Sequence, residues 1–161
     1  MSVRRSGASV QKMLSVFVDS SVVIAGAGSK SGASRAVLVM AEIGLFKLIL
    51  SQQVLDECER NLRLKLPRAL PFLVELLANV DPEIVPDPPA EQVAYWETMI
   101  APKDAPILAA AHLARVDRFL TLDRHDFTSD VATESDIDIM TPGEFVEEIR
   151  ALINQGMVDS S

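Results

Sequence analysis

The chain has 161 residues, of which 48% are hydrophobic and 24% are charged, a composition typical of one globular domain. Its formal charge of −8 and its pI near 4.7 argue against broad electrostatic binding of nucleic acid, so such a role needs a local basic patch or bound cations. Its single cysteine, Cys58, excludes an intramolecular disulfide, and we expect it to be a buried hydrophobic residue.

A membrane-spanning segment needs about 20 apolar residues, and no stretch of the sequence reaches that length. The apolar run near the start is interrupted by Asp19 too early for a signal peptide. Together with the cysteine content, this predicts a cytoplasmic protein with no membrane partner. We expect a single domain over residues 1–161, with flexible termini at residues 1–12 and 155–161, where small polar residues predominate.

The first predicted strand is "LSVFVDS", which ends in Asp19, and a glycine-rich segment at residues 25–32 follows it. A Walker phosphate loop places a lysine directly after a glycine, whereas Lys30 precedes Gly32. The three glycines are also spaced one residue too widely for a dinucleotide fingerprint. The segment is therefore predicted to be a plain connecting loop with no nucleotide cofactor.

Strand and helix patterns then alternate to the end of the chain. Ser51 and Thr141 are placed to cap helices, and the prolines of residues 81–89 restrict that segment to a hinge or a sheet edge. This alternation predicts an α/β fold, with a parallel sheet covered by helices on both faces. The later predicted strands are residues 46–51, 117–123 and 136–140, and the predicted helices are residues 31–44, 52–65, 68–80, 90–100, 103–116 and 141–153.

Acidic residues mark the ends of two predicted strands and the start of one helix. Asp19 and Asp123 follow strands, and the carboxyl ends of parallel strands meet at one rim of a sheet. Asp104 opens the alanine-rich helix, where a helix N-cap is the simpler role. On the helix at residues 52–65, Glu57 and Glu59 flank the apolar face, and periodicity does not choose between them.

Four quoted segments resemble successive motifs of the PIN-domain family, in its toxin-nuclease branch: "VFVDSSVVIAG", "SQQVLDECERNL", "KDAPILAAAHLARVDRFLTLDRHDF" and "DIMTPGEFVEEI". The match extends from about Val16 to Ile149 and keeps the acids in the family's order. The resemblance implies a three-layer α/β/α sandwich with a central parallel sheet and a divalent-metal site. It also implies endoribonuclease activity, frequently within toxin–antitoxin pairs.

The resemblance also assigns roles to individual residues. Ser21 matches a small polar residue that supports the first acid, Thr121 a threonine common before the last acid, and Asp126 a peripheral fifth acid. One departure is the long glycine-rich segment after the first strand, which leaves substrate preference open. The four matched acids, implied as both catalytic and metal-binding residues, are Asp19, Glu57, Asp104 and Asp123.

Four neighbouring carboxylates would repel one another unless a cation joined them. Hard oxygen ligands without cysteine or histidine favour Mg²⁺ or Mn²⁺ over zinc. We expect Asp19, Asp104 and Asp123 to bind metal directly or through water, and Glu57 to bind metal or orient the attacking water. His112 and His125 are expected in helix packing and in a loop.

The expected partners are an RNA substrate and a cognate antitoxin protein, and a homodimer is left open. Tyr95 and Trp96 are interpreted as core or oligomer contacts in preference to base-stacking residues. Two alternatives come from other classes: a catalytically inactive PIN-like scaffold that binds an antitoxin, and a receiver-like signalling domain. The basic residues near Glu57 form either a solvated face or a path for RNA phosphates: Arg60, Arg63, Lys65 and Arg68.

Overall fold

A central sheet of five parallel strands organises the structure, a computed structural model that describes residues 13–159. The strands lie in the order β3-β2-β1-β4-β5, so β1 is central and β3 and β5 form the edges. The predicted parallel sheet is confirmed, and residues 81–89 contribute only an edge strand. The strands are β1 Ser15–Val18, β2 Lys47–Ser51, β3 Glu83–Val85, β4 Arg118–Leu120 and β5 Asp138–Met140.

Helices cover both faces of the sheet, which gives the predicted three-layer α/β/α architecture. Ser51 caps the third helix by accepting a hydrogen bond from Val54 N at 3.2 Å, and Thr141 Oγ1 accepts one from Glu144 N at 3.2 Å, as expected. A single 3₁₀ turn occupies Pro67–Ala69. The α-helices are α1 Ser20–Gly28, α2 Ala33–Glu42, α3 Gln52–Lys65, α4 Leu70–Val80, α5 Ala90–Trp96, α6 Ala105–Leu113, α7 Ser129–Ser135 and α8 Pro142–Asp159.

The glycine-rich segment differs in part from its prediction as a loop, because its first half, residues 25–28, belongs to α1. Asp19 starts this helix, and its side chain accepts a hydrogen bond from Ser20 N. A Cβ atom at Gly26 would lie 2.5 Å from Leu38 Cδ1 and 2.9 Å from Ser34 O on α2. The glycine therefore serves close helix packing, and the true loop is shortened to residues 29–32.

The central strands are buried on both faces, as parallel sheets require. The rings of Phe17 on β1 and Phe119 on β4 stack with centroids 5.3 Å apart. The alanine-rich helix α6 is largely buried, as predicted, and Cys58 is buried in the same core. The strands that carry the strand-end acids are thus held in the best-packed part of the molecule.

The predicted termini can be compared with the structure only in part. Residues 1–12 and 160–161 lie outside the described residues, and residues 155–159 continue α8. Helix α7 was not predicted at all. A bilayer-spanning helix is absent from the described residues, since no helix there combines the needed length and apolar character.

Candidate metal centre

The strand order changes direction between β1 and β4, at the centre of the sheet. The chain runs from β1 outward to β3 on one side and returns to β4 and β5 on the other. Loops that follow β1 and β4 therefore diverge to opposite faces and leave a crevice, which is where open α/β sheets bind ligands. Asp19 directly follows β1, and Asp123 lies three residues after β4.

Asp19 is almost fully buried and accepts hydrogen bonds from three donor groups. Its Oδ2 accepts hydrogen bonds from Ser21 Oγ at 3.0 Å and Thr121 Oγ1 at 2.9 Å. Its Oδ1 accepts one from Ser20 N at 2.7 Å, and Ser20 Oγ lies 3.4 Å away. The supporting role that the resemblance implied for Ser21 agrees with this geometry.

Ser20 joins Asp19 to the acid on α3. Its Oγ donates a hydrogen bond to Glu57 Oε1 at 2.8 Å, and Gln53 Nε2 donates to Glu57 Oε2 at 3.3 Å. Glu59 points elsewhere and lies 3.7 Å from Arg63. The geometry thus separates the two glutamates that periodicity left equivalent and places Glu57 beside Asp19.

A second cluster gathers three carboxylates at the same rim. One ligand oxygen each from Asp104, Asp123 and Asp126 lies within 4.8 Å of the other two. The resemblance assigned Asp126 only a peripheral role, but the loop after β4 brings it close to Asp104 and Asp123. Its position in "DRHDF", three residues after Asp123, was the available signal.

Asp104 does not act as the helix cap that its position suggested. It occupies the N-cap position of α6, but its side chain makes no capping hydrogen bond. The residue is only 8% exposed, and its Oδ2 is one of two buried side-chain polar atoms in the described residues without a hydrogen-bond partner, the other being Trp96 Nε1. A buried, unpaired carboxylate oxygen is costly unless a cation or proton occupies it.

Thr121 connects the two groups of acids. While its hydroxyl donates to Asp19, the same oxygen accepts a hydrogen bond from Asp123 N at 3.0 Å. Leu122 N donates to Ser21 Oγ at 3.2 Å. These bonds fix the chain after β4 against the start of α1, so that Asp19 and Asp123 are held at one rim.

Lys103 is the cation nearest the three-acid cluster. Its Nζ lies 3.9 Å from Asp123 Oδ2 and 3.6 Å from Asp126 Oδ2, on a side chain that is 72% exposed. Sequence reasoning did not single it out. An exposed lysine offsets part of the negative charge, but it is a mobile and well-hydrated counter-ion.

Comparison with known proteins identifies the fold family. The family model described as "PIN domain" matches residues 16–134. The chain belongs to the PIN domain family. Its fold is similar to the crystal structure of PAE2754 from Pyrobaculum aerophilum, with a TM-score of 0.58 and 16% identity over 86% of this chain and 90% of that chain. At this identity the likeness concerns the fold alone. No curated protein matches the sequence.

The electrostatics of this PIN domain favour a cation at the acid clusters. Burial, followed by hydrogen bonding with Asp126, raises the pKa of Asp104 to about 7, and Lys103 opposes the rise. Burial also raises the pKa of Asp19 despite its hydrogen bonds. Hydrogen bonding with Asp123 and with Asp104 lowers the pKa of Asp126. A proton shared by Asp104 and Asp126 therefore resides on Asp104.

The donor set of the PIN domain fits a hard divalent cation. Asp104, Asp123 and Asp126 offer carboxylate oxygens, and the cluster contains no histidine or cysteine, which suits Mg²⁺ or Mn²⁺ better than zinc. The buried Oδ2 of Asp104 supplies the independent sign that something positive belongs there. His112 instead packs against Trp96, with ring centroids 5.3 Å apart, as expected for a packing residue.

The aromatic pair divides between core and surface. Trp96 is 1% exposed and packs in the core, whereas Tyr95 is 47% exposed and hydrogen-bonds with Glu134. Trp96 is therefore a core contact, one of the two roles that its sequence context suggested. Ser20 was missed because a serine in a serine pair gives no sequence signal of bridging two acids.

Proposed function

We propose that this PIN domain is a divalent-metal-dependent endoribonuclease that serves as the toxin of a toxin–antitoxin pair. The observation that carries the metal-dependent part is the buried and unpaired Oδ2 of Asp104, set among two further carboxylates. An acid kept unsatisfied in a packed core needs a compensating ligand. Membership of the PIN family supports a nuclease as the enzyme class.

In this proposal the acids position metal and water and do not attack the substrate themselves. Asp104, Asp123 and Asp126 would hold Mg²⁺ or Mn²⁺, and Asp19 would complete the site from the end of β1. The bound ion would lower the pKa of a coordinated water and offset charge on the scissile phosphate. Glu57, oriented by Ser20 and Gln53, would bind metal or orient the attacking water.

Thr121, Ser20 and Ser21 serve this arrangement by fixing carboxylate orientation. Each donates a hydrogen bond to an acid, and such bonds hold ligands in place before any cation binds. The lowered pKa of Asp126 keeps that carboxylate ionised and ready to bind a cation. Preorganised oxygens lose little side-chain entropy when the cation arrives.

Resemblance to the toxin branch of the PIN family supports the toxin role. A cognate antitoxin would then be the protein partner, in the cytoplasm. A short upstream reading frame encoding a DNA-binding protein would support this part of the proposal. Its absence would leave a metal-dependent ribonuclease without a toxin role.

The strand order argues against the receiver-like domain but not against the inactive scaffold. A receiver-like domain has the strand order 2-1-3-4-5, whereas this sheet has the order 3-2-1-4-5, which disfavours the signalling role. The inactive scaffold differs from the proposed enzyme only in chemistry. Activity is therefore the measurement that separates these two.

The test is cleavage of a labelled single-stranded RNA by the purified full chain. We expect cleavage with Mg²⁺ or Mn²⁺, loss of cleavage in EDTA, and recovery when excess metal is returned. The Asp104→Asn variant should lose nearly all activity, whereas Asp56→Asn, on the exposed face of α3, should retain it. Cleavage that persists in EDTA would contradict the metal requirement, and no cleavage under any condition would favour the scaffold.

A further inference from the structure

A groove between α1 and α3 begins at the acids and leads away from them. Its volume is about 280 Å³, and Ser20 and Glu57 line the end nearest the candidate metal centre. The other lining residues extend along the two helices: Ile24, Arg60, Asn61, Leu64 and Lys65. The first nucleotide beyond a phosphate bound at the metal centre would therefore meet this groove.

A second cavity lies at the far ends of the same two elements. Its volume is about 480 Å³, and its walls include Ala27 and Gly28 at the end of α1 and Arg68 beyond the end of α3. Lys30 and Arg35 complete its basic lining. The two cavities follow each other along α1, which spans about 13 Å at the rise of an α-helix.

The groove and the cavity carry cations that other side chains do not neutralise. Within the described residues, no ion pair engages Arg60, Lys65, Arg68 or Lys30. Arg35 differs, because its Nε donates to Gly26 O at 2.6 Å and its guanidinium lies over the Phe72 ring. In a chain of net charge −8, a row of unpaired cations leading to a metal site indicates an anionic ligand.

We propose that this α1–α3 groove holds the single-stranded RNA segment that adjoins the scissile phosphate, an inference that rests on the ribonuclease function proposed above. The groove and the second cavity together extend along α1 for about 13 Å, which matches about four nucleotides of a strand at about 3.4 Å each. Successive phosphates are bound first by Arg60 and Lys65 in the groove and then by Lys30 and Arg68 in the second cavity. Such contacts provide affinity without reading sequence.

The walls between the cations suit a base better than a second phosphate. Ile24 and Leu64 offer apolar surface, and Leu64 is 74% exposed although it lies in the groove. Asn61 adds an amide that can donate to or accept from a base edge. A concave groove of this kind accepts one flexible strand with its bases unstacked, whereas a duplex keeps its bases paired.

The same helix supplies a matched control. Arg60 lies three residues after Glu57, on the same helix face, whereas Arg63 is absent from the groove lining and pairs with Glu59. The double variant Arg60→Gln/Lys65→Gln therefore removes positive charge from the groove. The variant Arg63→Gln removes positive charge from the solvated face of the same helix. Helix α3 should stay folded in both variants, because all three residues are exposed.

The experiment measures KM and kcat for a dinucleotide and a hexanucleotide RNA with Mn²⁺, at several salt concentrations. Arg60→Gln/Lys65→Gln should raise KM for the hexanucleotide about tenfold and flatten its salt dependence by about 1.4 in log–log slope, since two phosphate contacts are lost. The wild-type preference for the longer RNA should be lost in this variant. Arg63→Gln should behave as wild type.

The groove proposal would be wrong if Arg60→Gln/Lys65→Gln and wild type had equal KM values for the hexanucleotide. It would also be wrong if Arg63→Gln raised this KM as much as the groove variant does. In both cases the metal-dependent cleavage itself would stand. The electron paramagnetic resonance signal of Mn²⁺ measures metal binding by each protein. This measurement separates the ribonuclease proposal from the groove proposal. If wild type binds Mn²⁺ but neither binds nor cleaves RNA, both the ribonuclease function and the groove assignment fail.

Discussion

The Asp104 side chain is held by packing and by its interaction with Asp126, and not by a capping hydrogen bond. It is buried at the start of α6, it forms no cap, and its Oδ2 lacks a partner in the described part of the chain. In the metal-free protein, ionised Asp104 therefore lies beside Asp126 and Asp123 with little compensation. At this residue the requirements of stability and function oppose each other.

The Asp104→Asn substitution should separate these requirements. In EDTA at pH 8 the variant should melt at or above the wild-type temperature, because the amide removes like-charge repulsion and can donate to Asp126. Mg²⁺ at about five times its dissociation constant should stabilise wild type by about 1 kcal/mol and the variant by less. Thermal melting with and without Mg²⁺ measures both effects.

Asp56→Asn is the control for this experiment, since Asp56 is exposed on α3 and hydrogen-bonds with Gln52. It should respond to Mg²⁺ as wild type does. A destabilised Asp104→Asn variant with a wild-type response to Mg²⁺ would show that Asp104 only supports the helix.

The raised pKa of Asp104 also predicts how stability changes with pH. Its folded pKa of about 7 lies above the ordinary value of 3.8, so protonation favours the folded state. The contribution is fully present below about pH 4, declines by about 1.4 kcal/mol per pH unit, and is lost above about pH 7. The stability of Asp104→Asn relative to wild type should therefore rise between pH 5 and pH 7 and then level off.

Urea unfolding of both metal-free proteins at pH 5, 6, 7 and 8 measures this difference. Asp19 also has a raised pKa, but it is present in both proteins and its effect cancels. Asp126 has a lowered pKa, so its contribution changes only in more acidic solution. A stability difference that is constant with pH would contradict the assignment of the proton to Asp104.

At the scale of single elements, α1 links the candidate metal centre to the α1–α3 groove. Its first turn carries Ser20 and Ser21 to the acids, and its last turn lines the second cavity. Gly26 lets the helix approach α2 so closely that an added Cβ would contact Leu38 and the backbone oxygen of Ser34. The packing of α1 against α2 thus helps to set the position of the serines.

Gly26→Ala should destabilise the protein by about 1–3 kcal/mol through overpacking, even though alanine favours helix formation by about 1 kcal/mol relative to glycine. Gly156→Ala is the matched control, because Gly156 lies in α8 with open space around the added Cβ. That variant should be neutral or slightly stabilised. In denaturant unfolding, the free energy of unfolding should fall in Gly26→Ala and should stay equal or rise slightly in Gly156→Ala.

At the scale of the whole molecule, the sequence predicted the sheet better than the details of the site. Apolar strands and a buried alanine-rich helix have strong patterns, because burial dictates their residues directly. The end of α1, residues 25–28, was predicted to be a loop because its glycines disfavour helices intrinsically, while contact with α2 overrides that preference. The helix propensity of single residues contains no information about a contact between two helices.

The acid clusters show the same limit. The ends of β1 and β4 placed Asp19 and Asp123 at one rim, since strand direction follows from the α/β pattern. Asp126 depends on how one loop turns, and the bridging of Asp19 and Glu57 by Ser20 depends on side-chain rotamers. By contrast, the difference between Arg60 and Arg63 was available from helical spacing, because only Arg60 lies on the face of Glu57.

The pairing of β1 with β4 also governs when the candidate metal centre can form. Asp19 and Thr121 are 102 residues apart in sequence, so a ribosome that adds about 5–20 residues per second completes the second about 5–20 s after the first. Until then β1 can pair with β2 but not with β4, and Asp19 lacks the hydrogen bond from Thr121. A chain whose translation stops before β4 would therefore carry Asp19 and Glu57 but not the complete candidate metal centre.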